Sequence, residues 1–142
     1  MDLKLIILAS LVGGTFAKPI DCSDLQKPRY RPTGTYRIFP YQDDKGIQVR
    51  CDMDTSTGGW TVIQRRISDS EFYKKWQDYK DGFGDLTTNL WLENEKIHQI
   101  IRQGRYELRI DLTSSDGKTA FAEYKEFSIG NEHSGYKLYV SG

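Results

Sequence analysis

The stretch of residues 49–66 constrains the fold more than any other part of the chain. Residues 47–53, which overlap the start of this stretch, alternate between apolar and polar side chains, which is the pattern of a strand with one buried face. Residues 55–59 are polar and end in two glycines, which suit the positive φ angles of a tight turn. A second strand-like run begins at Trp60. The stretch therefore predicts a β-hairpin or β-arch that carries Cys51.

The first seventeen residues have the pattern of a secretory signal peptide. Lys4 provides a charged start, residues 5–12 form an apolar core of eight, and small residues lead up to Ala17. We expect cleavage between Ala17 and Lys18, with the leader outside the fold. The alternatives are a membrane anchor or a buried strand, and eight apolar residues are far fewer than the ~20 that a spanning helix needs. No membrane span is expected.

The mature chain predicted by this cut, residues 18–142, has the length of one ordinary domain. The whole sequence has 20 basic and 20 acidic residues, so its formal net charge is +0. Such a balance provides no electrostatic footprint for nucleic acid or for an anionic membrane. We therefore expect no nucleic-acid partner. Because the leader indicates secretion, we also expect an extracellular location.

The chain has two cysteines, Cys22 and Cys51. In the oxidising compartment that a leader implies, an even pair predicts one disulfide. A metal pair or a redox site would need closer spacing or further ligands. The loop of about 30 residues would stabilise the fold by roughly 3–4 kcal/mol.

The segment after the hairpin predicts a short helix. Ser68 and Glu71 have the spacing of a capping box, which marks a helix start. Phe72, Trp76 and Tyr79 then recur at helical spacing and form one apolar stripe. We expect most aromatic side chains of this region to pack in the core rather than to bind ligands, because they bury large areas. These side chains are Trp60, Phe72, Trp76, Tyr79, Phe83 and Trp91.

A second helix is predicted to begin at Asn94, an N-cap residue, and to end before Gly104. Its inner face would consist of Ile97, Ile100 and Ile101. Alternation and turn residues predict further strands. They cover residues 35–39, 106–112, 119–127 and 136–140. The fold class is therefore α+β, an antiparallel sheet with short flanking helices and a disulfide staple.

Asp52, Asp54 and Ser56 alternate in a way that invites comparison with a calcium loop. An EF-hand would then need glycine at its sixth position and glutamate at its twelfth. Those positions hold Thr57 and Ile63, so a solvated turn is the better interpretation.

Catalytic patterns are equally sparse. His98 and His133 are far apart and lack the spacing of metal ligands. Asp43 and Asp44 lie in a turn, where solvated aspartates are common. There is no Gly-x-Ser-x-Gly motif, and the predicted disulfide leaves no free cysteine. We expect no catalytic residue, no metal ligand, no cofactor and no enzyme activity.

Several motifs occur in a fixed order through residues 22–142. They are Cys22-Ser23-Asp24-Leu25, Gly34-Thr35-Tyr36-Arg37-Ile38, Cys51-Asp52-Met53 with Gly58-Gly59-Trp60-Thr61-Val62 and Gln64-Arg65-Arg66, Phe72, Trp76 and Tyr79 with Gly82-Phe83-Gly84, Trp91-Leu92 with Asn94-Glu95-Lys96-Ile97-His98, and Tyr106-Glu107-Leu108-Arg109. This order resembles the fibrinogen-related domain, the C-terminal globular module of fibrinogens, ficolins, tachylectins and angiopoietins. The resemblance also implies a Cys22–Cys51 pairing. Glu93 departs from it, because glycine is usual there.

The resemblance implies that residues 18–142 are an incomplete domain of this family. A full domain is roughly twice as long, and its C-terminal half carries a calcium loop, a second disulfide and a pocket for acetylated sugars or peptide ends. The ligand-binding residues of this chain are therefore unknown from sequence, and the family's calcium site would lie outside it.

Two functions follow as expectations. The first is a secreted, lectin-like recognition protein that binds glycans or acetylated groups in innate defence. The second is a truncated, non-lectin protein-interaction module, or a fragment without the ligand site. The apolar run 136–140 would then leave a strand edge that favours protein partners or self-association.

Overall fold

The computed structural model describes residues 2–9, 18–26, 29–69 and 71–142. Within these residues the chain forms one eight-stranded sheet, one two-stranded sheet and three short α-helices. The elements are β1 (Asp2–Ala9), α1 (Cys22–Gln26), β2 (Gly34–Ile38), a 3-10 turn (Pro40–Gln42), β3 (Ile47–Asp52), β4 (Trp60–Arg66), α2 (Trp76–Asp81), β5 (Phe83–Gly84), β6 (Leu90–Trp91), α3 (Asn94–Ile101), β7 (Tyr106–Thr113), β8 (Thr119–Tyr124), β9 (Glu126–Ile129), a second 3-10 turn (Glu132–Ser134) and β10 (Leu138–Ser141).

The large sheet has the strand order β2-β3-β4-β1-β7-β8. The short strand β6 pairs with the far end of β4 and with β5, and β9 pairs with β10 to form the small sheet. These pairings are antiparallel. The predicted α+β class, an antiparallel sheet with short flanking helices, is confirmed.

The large sheet buries apolar side chains on both faces. Helices α1 and α3 cover one face, and the core between them and the sheet includes Val49, Ile63 and Leu108. A smaller cluster on the opposite face is built around Trp60. Because side chains alternate along a strand, β1 and β4 contribute residues to both clusters.

The hairpin predicted from residues 49–66 is present as β3 and β4, which pair from Asp52 opposite Trp60 to Arg50 opposite Val62. The connecting turn contains Gly58 and Gly59 at positive φ angles. A Cβ atom on Gly58 would lie 2.4 Å from the carbonyl oxygen of Met53, so the turn needs glycine there.

Helix α3 places Ile97, Ile100 and Ile101 in the core, as predicted. Its boundaries differ by one position from the prediction, because Glu93 is the N-cap and Asn94 is the first helical residue. The helix ends at Ile101, before Gly104 as predicted, but Gly104 does not have the positive φ of the left-handed residue that often follows a helix and that its position after α3 suggests.

Helix α2 begins later than the predicted capping box at Ser68 and Glu71. Residues 71–75 have no regular structure, and the helix starts at Trp76. The backbone N–H of Lys75 donates to the Asp78 carboxylate over 3.1 Å, which satisfies one of the unpaired donors at a helix start. A second start signal in the sequence therefore took precedence over the first.

The predicted strand 119–127 is two strands in the structure. β8 ends at Tyr124, the chain bends at Lys125, and β9 then leaves the large sheet to pair with β10. After this change of direction, Phe127 is buried against the main core.

The leader contributes the central strand of the large sheet. β1 lies between β4 and β7, and both Ile6 and Ile7 are 0% exposed. The sequence predicts that the leader lies outside the fold. In this structure of the uncut chain, residues 2–9 instead form a buried strand, which was the alternative interpretation. The reason is that the run of residues 3–8 is apolar on both faces apart from Lys4. Cleavage after Ala17 stays a prediction, since that residue lies outside the described ranges.

No helix among the described residues is both long and apolar enough to cross a membrane.

Candidate recognition surface

The disulfide joins the start of the domain to the hairpin. Cys22 in α1 and Cys51 in β3 are bonded and fully buried. The backbone N–H of Cys22 also donates to the Thr61 hydroxyl over 3.3 Å, so α1 is held against both strands of the hairpin. The predicted pairing is present, and it is structural because solvent does not reach either sulfur.

A buried acid lies beside this staple. The Tyr106 hydroxyl donates to the Asp21 carboxylate over 2.6 Å, and both side chains are almost completely buried. Burial raises the pKa of Asp21 and is also the main reason for the raised pKa of Tyr106. Since a substrate cannot reach this pair from solvent, its role is to tie the segment after the predicted cut to β7.

Lys18, the predicted first mature residue, lies at the surface near this segment. Its ammonium group is 2.7 Å from the carboxylate of Asp44. That contact lowers the pKa of Asp44. The predicted turn of Asp43 and Asp44 is therefore a solvated turn with an ion pair, and it has no shielded carboxyl group for acid catalysis.

A charged cluster lies on the sheet face opposite the helices. The Lys4 ammonium is 2.5 Å from the Asp52 carboxylate and 3.6 Å from that of Asp111. Thr55 donates its hydroxyl to Asp52 over 2.6 Å. Burial raises the pKa of Asp52, but the bonds from Lys4 and Thr55 outweigh it and lower that pKa to about 2.

The carboxylate of Asp52 also organises its own turn. Its second oxygen accepts from the backbone N–H groups of Asp54 and Thr55 over 3.0 and 2.9 Å. Asp54 in turn accepts from the hydroxyl groups of Tyr30 and Thr33. The carboxylates of Asp52 and Asp54, which resemble part of a calcium loop in the sequence, thus accept hydrogen bonds from the chain itself. In the parts of the chain that the structure describes, no group of three or more His, Cys, Asp or Glu side chains is arranged to hold a metal ion.

The outer part of the same face is formed by β7 and β8. Arg109 pairs with Asp111 over 2.9 Å and with Glu123 over 2.6 Å. Its guanidinium lies 3.9 Å from the ring centroid of Phe121, which is exposed. This arrangement presents a ring stacked with a cation at the outer strand of the sheet.

A second surface surrounds α2. Phe72, Tyr79, Phe83 and Trp91 pack edge to face, with ring centroids 4.8–5.2 Å apart. The indole N–H of Trp91 donates to Asn94 and to the carbonyl of Tyr79, each over 3.0 Å. These rings are half-buried, so they belong to packing as the sequence analysis expected.

Trp76 is the exception among the aromatic residues. Half of its side chain is exposed, and its ring lies 6.3 Å from that of Tyr136. Lys80 lies over the Trp76 ring and pairs with Glu132. The prediction that Trp76 packs in the core is therefore wrong: Trp76 is the first residue of α2 and lies at the surface.

Tyr136 has a polar partner of its own. Its hydroxyl donates to the carboxylate of Glu95 in α3 over 3.0 Å. Burial and this bond raise the pKa of Tyr136 to about 12. Together, Trp76 and Tyr136 with their charged neighbours form what we call the aromatic surface: Trp76, Lys80, Glu95, Glu132 and Tyr136.

The two histidines do not meet. His98 is half-buried and bonds through its Nδ1 atom to the carbonyl of Ile129 over 2.9 Å, which ties α3 to β9. His133 is exposed in the second 3-10 turn.

The family model for the C-terminal globular domain of fibrinogen beta and gamma chains matches residues 18–142. The chain is a member of this fibrinogen C-terminal domain family. The match starts at the residue that the leader pattern places first in the mature protein. Every described helix and strand except β1 lies within the matched range.

Relatives at the sequence level support this membership. Angiopoietin-related protein 7 of Mus musculus is 41% identical over 99% of this chain, and microfibril-associated glycoprotein 4 of Mus musculus is 40% identical over 88% of it. Fibrinogen C domain-containing protein 1-B of Xenopus laevis is 44% identical over 88% of the chain. The chain spans 42%, 51% and 29% of the lengths of these three proteins, respectively.

Solved structures show the same fold. The fibrinogen-like globe domain of human ANGPTL2 superposes with a TM-score of 0.82 at 34% identity, over 87% of this chain and 58% of that one. Lamprey fibrin D-dimer, solved with the peptide ligand Gly-His-Arg-Pro-amide, superposes with a TM-score of 0.76 at 36% identity, over 87% of this chain and 39% of that one.

Proposed function

We propose that this chain is part of a secreted, extracellular recognition protein without enzyme activity, which binds glycans or acetylated groups in a lectin-like manner in innate defence. Three observations support the proposal. The chain belongs to the fibrinogen C-terminal domain family. Its N-terminus has the pattern of a cleavable leader. The family match begins at residue 18, where that leader would end.

We assign the binding of the ligand to the aromatic surface. A half-exposed indole offers a flat apolar face on which the C–H groups of a sugar ring can pack. Lys80, Glu95 and Glu132 provide hydrogen-bond donors and acceptors close to that face. Apolar contact with a few polar groups at its edge is the usual composition of a small-ligand site.

An acetylated resin and a glycan array, each probed with the full chain, test this function. We expect retention on the resin that free N-acetylated sugar displaces, and parallel runs with EDTA show whether calcium contributes. Trp76→Ala should abolish retention. Tyr73→Ala is the matched control, because Tyr73 is an aromatic residue that is 95% exposed in the adjacent segment and lies outside the aromatic surface. Equal retention of wild type and Trp76→Ala would contradict the role of the aromatic surface, and no retention of any variant would contradict the lectin function.

A protein-interaction role is the second candidate, favoured by the outer strand of the small sheet. Leu138, Tyr139 and Val140 are all exposed on β10, and among the described residues β10 pairs only with β9. Exposed apolar strand edges attract other chains. Lamprey fibrin D-dimer, a relative in fold, was solved with a peptide ligand.

Light scattering coupled to size exclusion tests this second role over a range of protein concentrations. Self-association should decrease on Leu138→Lys, because a charge on the edge opposes strand pairing. Ser115→Lys adds the same charge to an exposed turn far from β10 in sequence and should leave association unchanged. A monomer at all concentrations would contradict self-association.

A further inference from the structure

The charges at the aromatic surface limit the kind of glycan that it can bind. The carboxylates of Glu93, Glu95 and Glu132 all lie close enough to the Tyr136 hydroxyl to raise its pKa. Three acidic groups therefore surround one edge of this surface, next to the exposed indole of Trp76.

Lysines neutralise two of these three carboxylates. Glu132 pairs with Lys80, and Glu93 pairs with Lys96 over 3.4 Å. Glu95 has a neutral partner instead, because its Oε2 atom accepts from the tyrosine hydroxyl over 3.0 Å. Its Oε1 atom makes no hydrogen bond or ion pair with another residue that the structure describes. The surface thus has one carboxylate without a cationic partner in the described chain.

The backbone holds Tyr136 between the exposed indole and this carboxylate. Tyr136 has a φ of 55°, in the left-handed region that residues other than glycine seldom adopt. Its backbone N–H donates to the carbonyl of Asn131 over 2.9 Å. The ring of Tyr136 contacts Trp76 and its hydroxyl reaches Glu95. Trp76 and Glu95 therefore lie within the span of a short oligosaccharide, and strained backbone of this kind often occurs at functional sites.

The two helices that carry Trp76 and Glu95 are also fixed relative to each other. The indole N–H of Trp91 donates to the carbonyl of Tyr79 in α2 and to the side chain of Asn94 in α3, each over 3.0 Å. Since the arrangement exists before a ligand arrives, binding loses little conformational entropy.

A cation already lies at this surface. The ammonium group of Lys80 is 5.9 Å from the ring centroid of Trp76, and aromatic faces attract cations. An ammonium group of a ligand would gain a charge-assisted hydrogen bond from Glu95, which is stronger than a bond between neutral groups. The amide of an N-acetylated sugar is neutral and gains only the weaker bond. A free 2-amino sugar carries the ammonium group, whereas an acidic sugar would be repelled.

We propose that the aromatic surface prefers a partially de-N-acetylated glycan. An N-acetylated sugar of this glycan packs on Trp76, and the ammonium group of a neighbouring free 2-amino sugar binds to Glu95. The inference rests on the proposed glycan binding at the aromatic surface and names the class of glycan. It requires only contacts among residues 76–136.

Isothermal titration of the full chain with three tetrasaccharides of glucosamine tests the proposal. They are fully N-acetylated, half N-acetylated and not N-acetylated, and the titrations are made at about pH 6, where amino groups carry a proton. Glu95→Gln removes the charge and keeps an oxygen that accepts from the tyrosine hydroxyl. Glu123→Gln is the matched control, because it removes the same charge from β8, outside the aromatic surface.

We expect the wild type to bind the half-acetylated tetrasaccharide roughly three- to tenfold more tightly than the fully acetylated one. Glu95→Gln should remove this preference, and Glu123→Gln should keep it. The affinity of Glu95→Gln for the fully acetylated tetrasaccharide should equal that of the wild type, which shows that the variant is folded. The indole N–H resonance of Trp76 should shift with both of these ligands.

Three results would overturn the inference and leave the proposed function in place. They are equal affinity of the wild type for the half-acetylated and fully acetylated ligands, a preference that persists in Glu95→Gln, and equally tight binding of the ligand without acetyl groups, which would mean that charge alone is recognised. Absence of binding by all three ligands would instead contradict glycan binding at the aromatic surface, and with it the inference.

Discussion

Replacing both Cys22 and Cys51 with alanine should make the protein markedly easier to unfold. The two residues are 29 positions apart, and the crosslink removes from the unfolded chain the freedom of the loop between them. For a loop of this length the chain-entropy relation gives roughly 3–4 kcal/mol at 25 °C. Ordinary domains are stable by about 5–15 kcal/mol, so the loss is a large share of the total.

Urea unfolding of the uncut chain, followed by tryptophan fluorescence, measures this difference. The two buried sulfur atoms also contribute packing, so the reduced wild type is the control that keeps their volume in place. The reduced protein and the double variant should both unfold at lower urea than the oxidised wild type. A loss below about 1 kcal/mol in both would refute the reasoning, because it would mean that the unfolded chain keeps these segments close together without the bond.

Two further predictions concern a charge and a turn. In the uncut chain, which keeps Lys4, the pKa of Asp52 is lowered to about 2, so its carboxylate stabilises the folded state above about pH 4, and we expect about 2 kcal/mol of this to be lost as the pH falls towards 2. Urea unfolding across this interval should show a smaller change for Asp52→Asn, and the same change in both proteins would contradict the assignment. Gly84→Ala should lower the unfolding free energy by at least about 1 kcal/mol, because Gly84 has a φ of 90° and its Cβ atom would lie 2.2 Å from the Asn89 carbonyl oxygen. Gly104→Ala is the control, since no neighbouring atom lies within 4 Å of a Cβ atom there, and equal effects of the two changes in thermal unfolding would refute the argument.

The sequence was most informative where short-range patterns and the buried surface agree. The alternation of residues 47–53 and the glycines of the following turn predict β3, β4 and their connection, because both the side-chain period and the positive φ angles are local properties. The isoleucines of α3 were found for the same reason, since a stripe at helical spacing has to face the core.

The predictions that differ from the structure concern competing local signals or distant partners. The capping box at Ser68 and Glu71 predicts a helix start, but Asp78 caps a later one, and Trp76 at that later start is exposed. The exposure of Trp76 has no signature in the sequence beyond its proximity to Lys75 and Asp78. The aromatic surface also needs Tyr136, which is distant in sequence, so its formation depends on the packing of α2 against the segment before β10.

The sequence by itself determined the family, the disulfide pair, the hairpin of β3 and β4, and the leader pattern, because each depends on residue types at short or fixed spacing. The tertiary structure alone decided the location of residues 2–9. An apolar run with one lysine is compatible with a leader and with a buried strand, and the choice in the uncut chain depends on contacts with residues far along the sequence. The backbone groups of β4 and β7 bond to the two edges of β1. Ile6 and Ile7 enter the two apolar clusters, and Asp52 and Asp111 pair with the charge of Lys4.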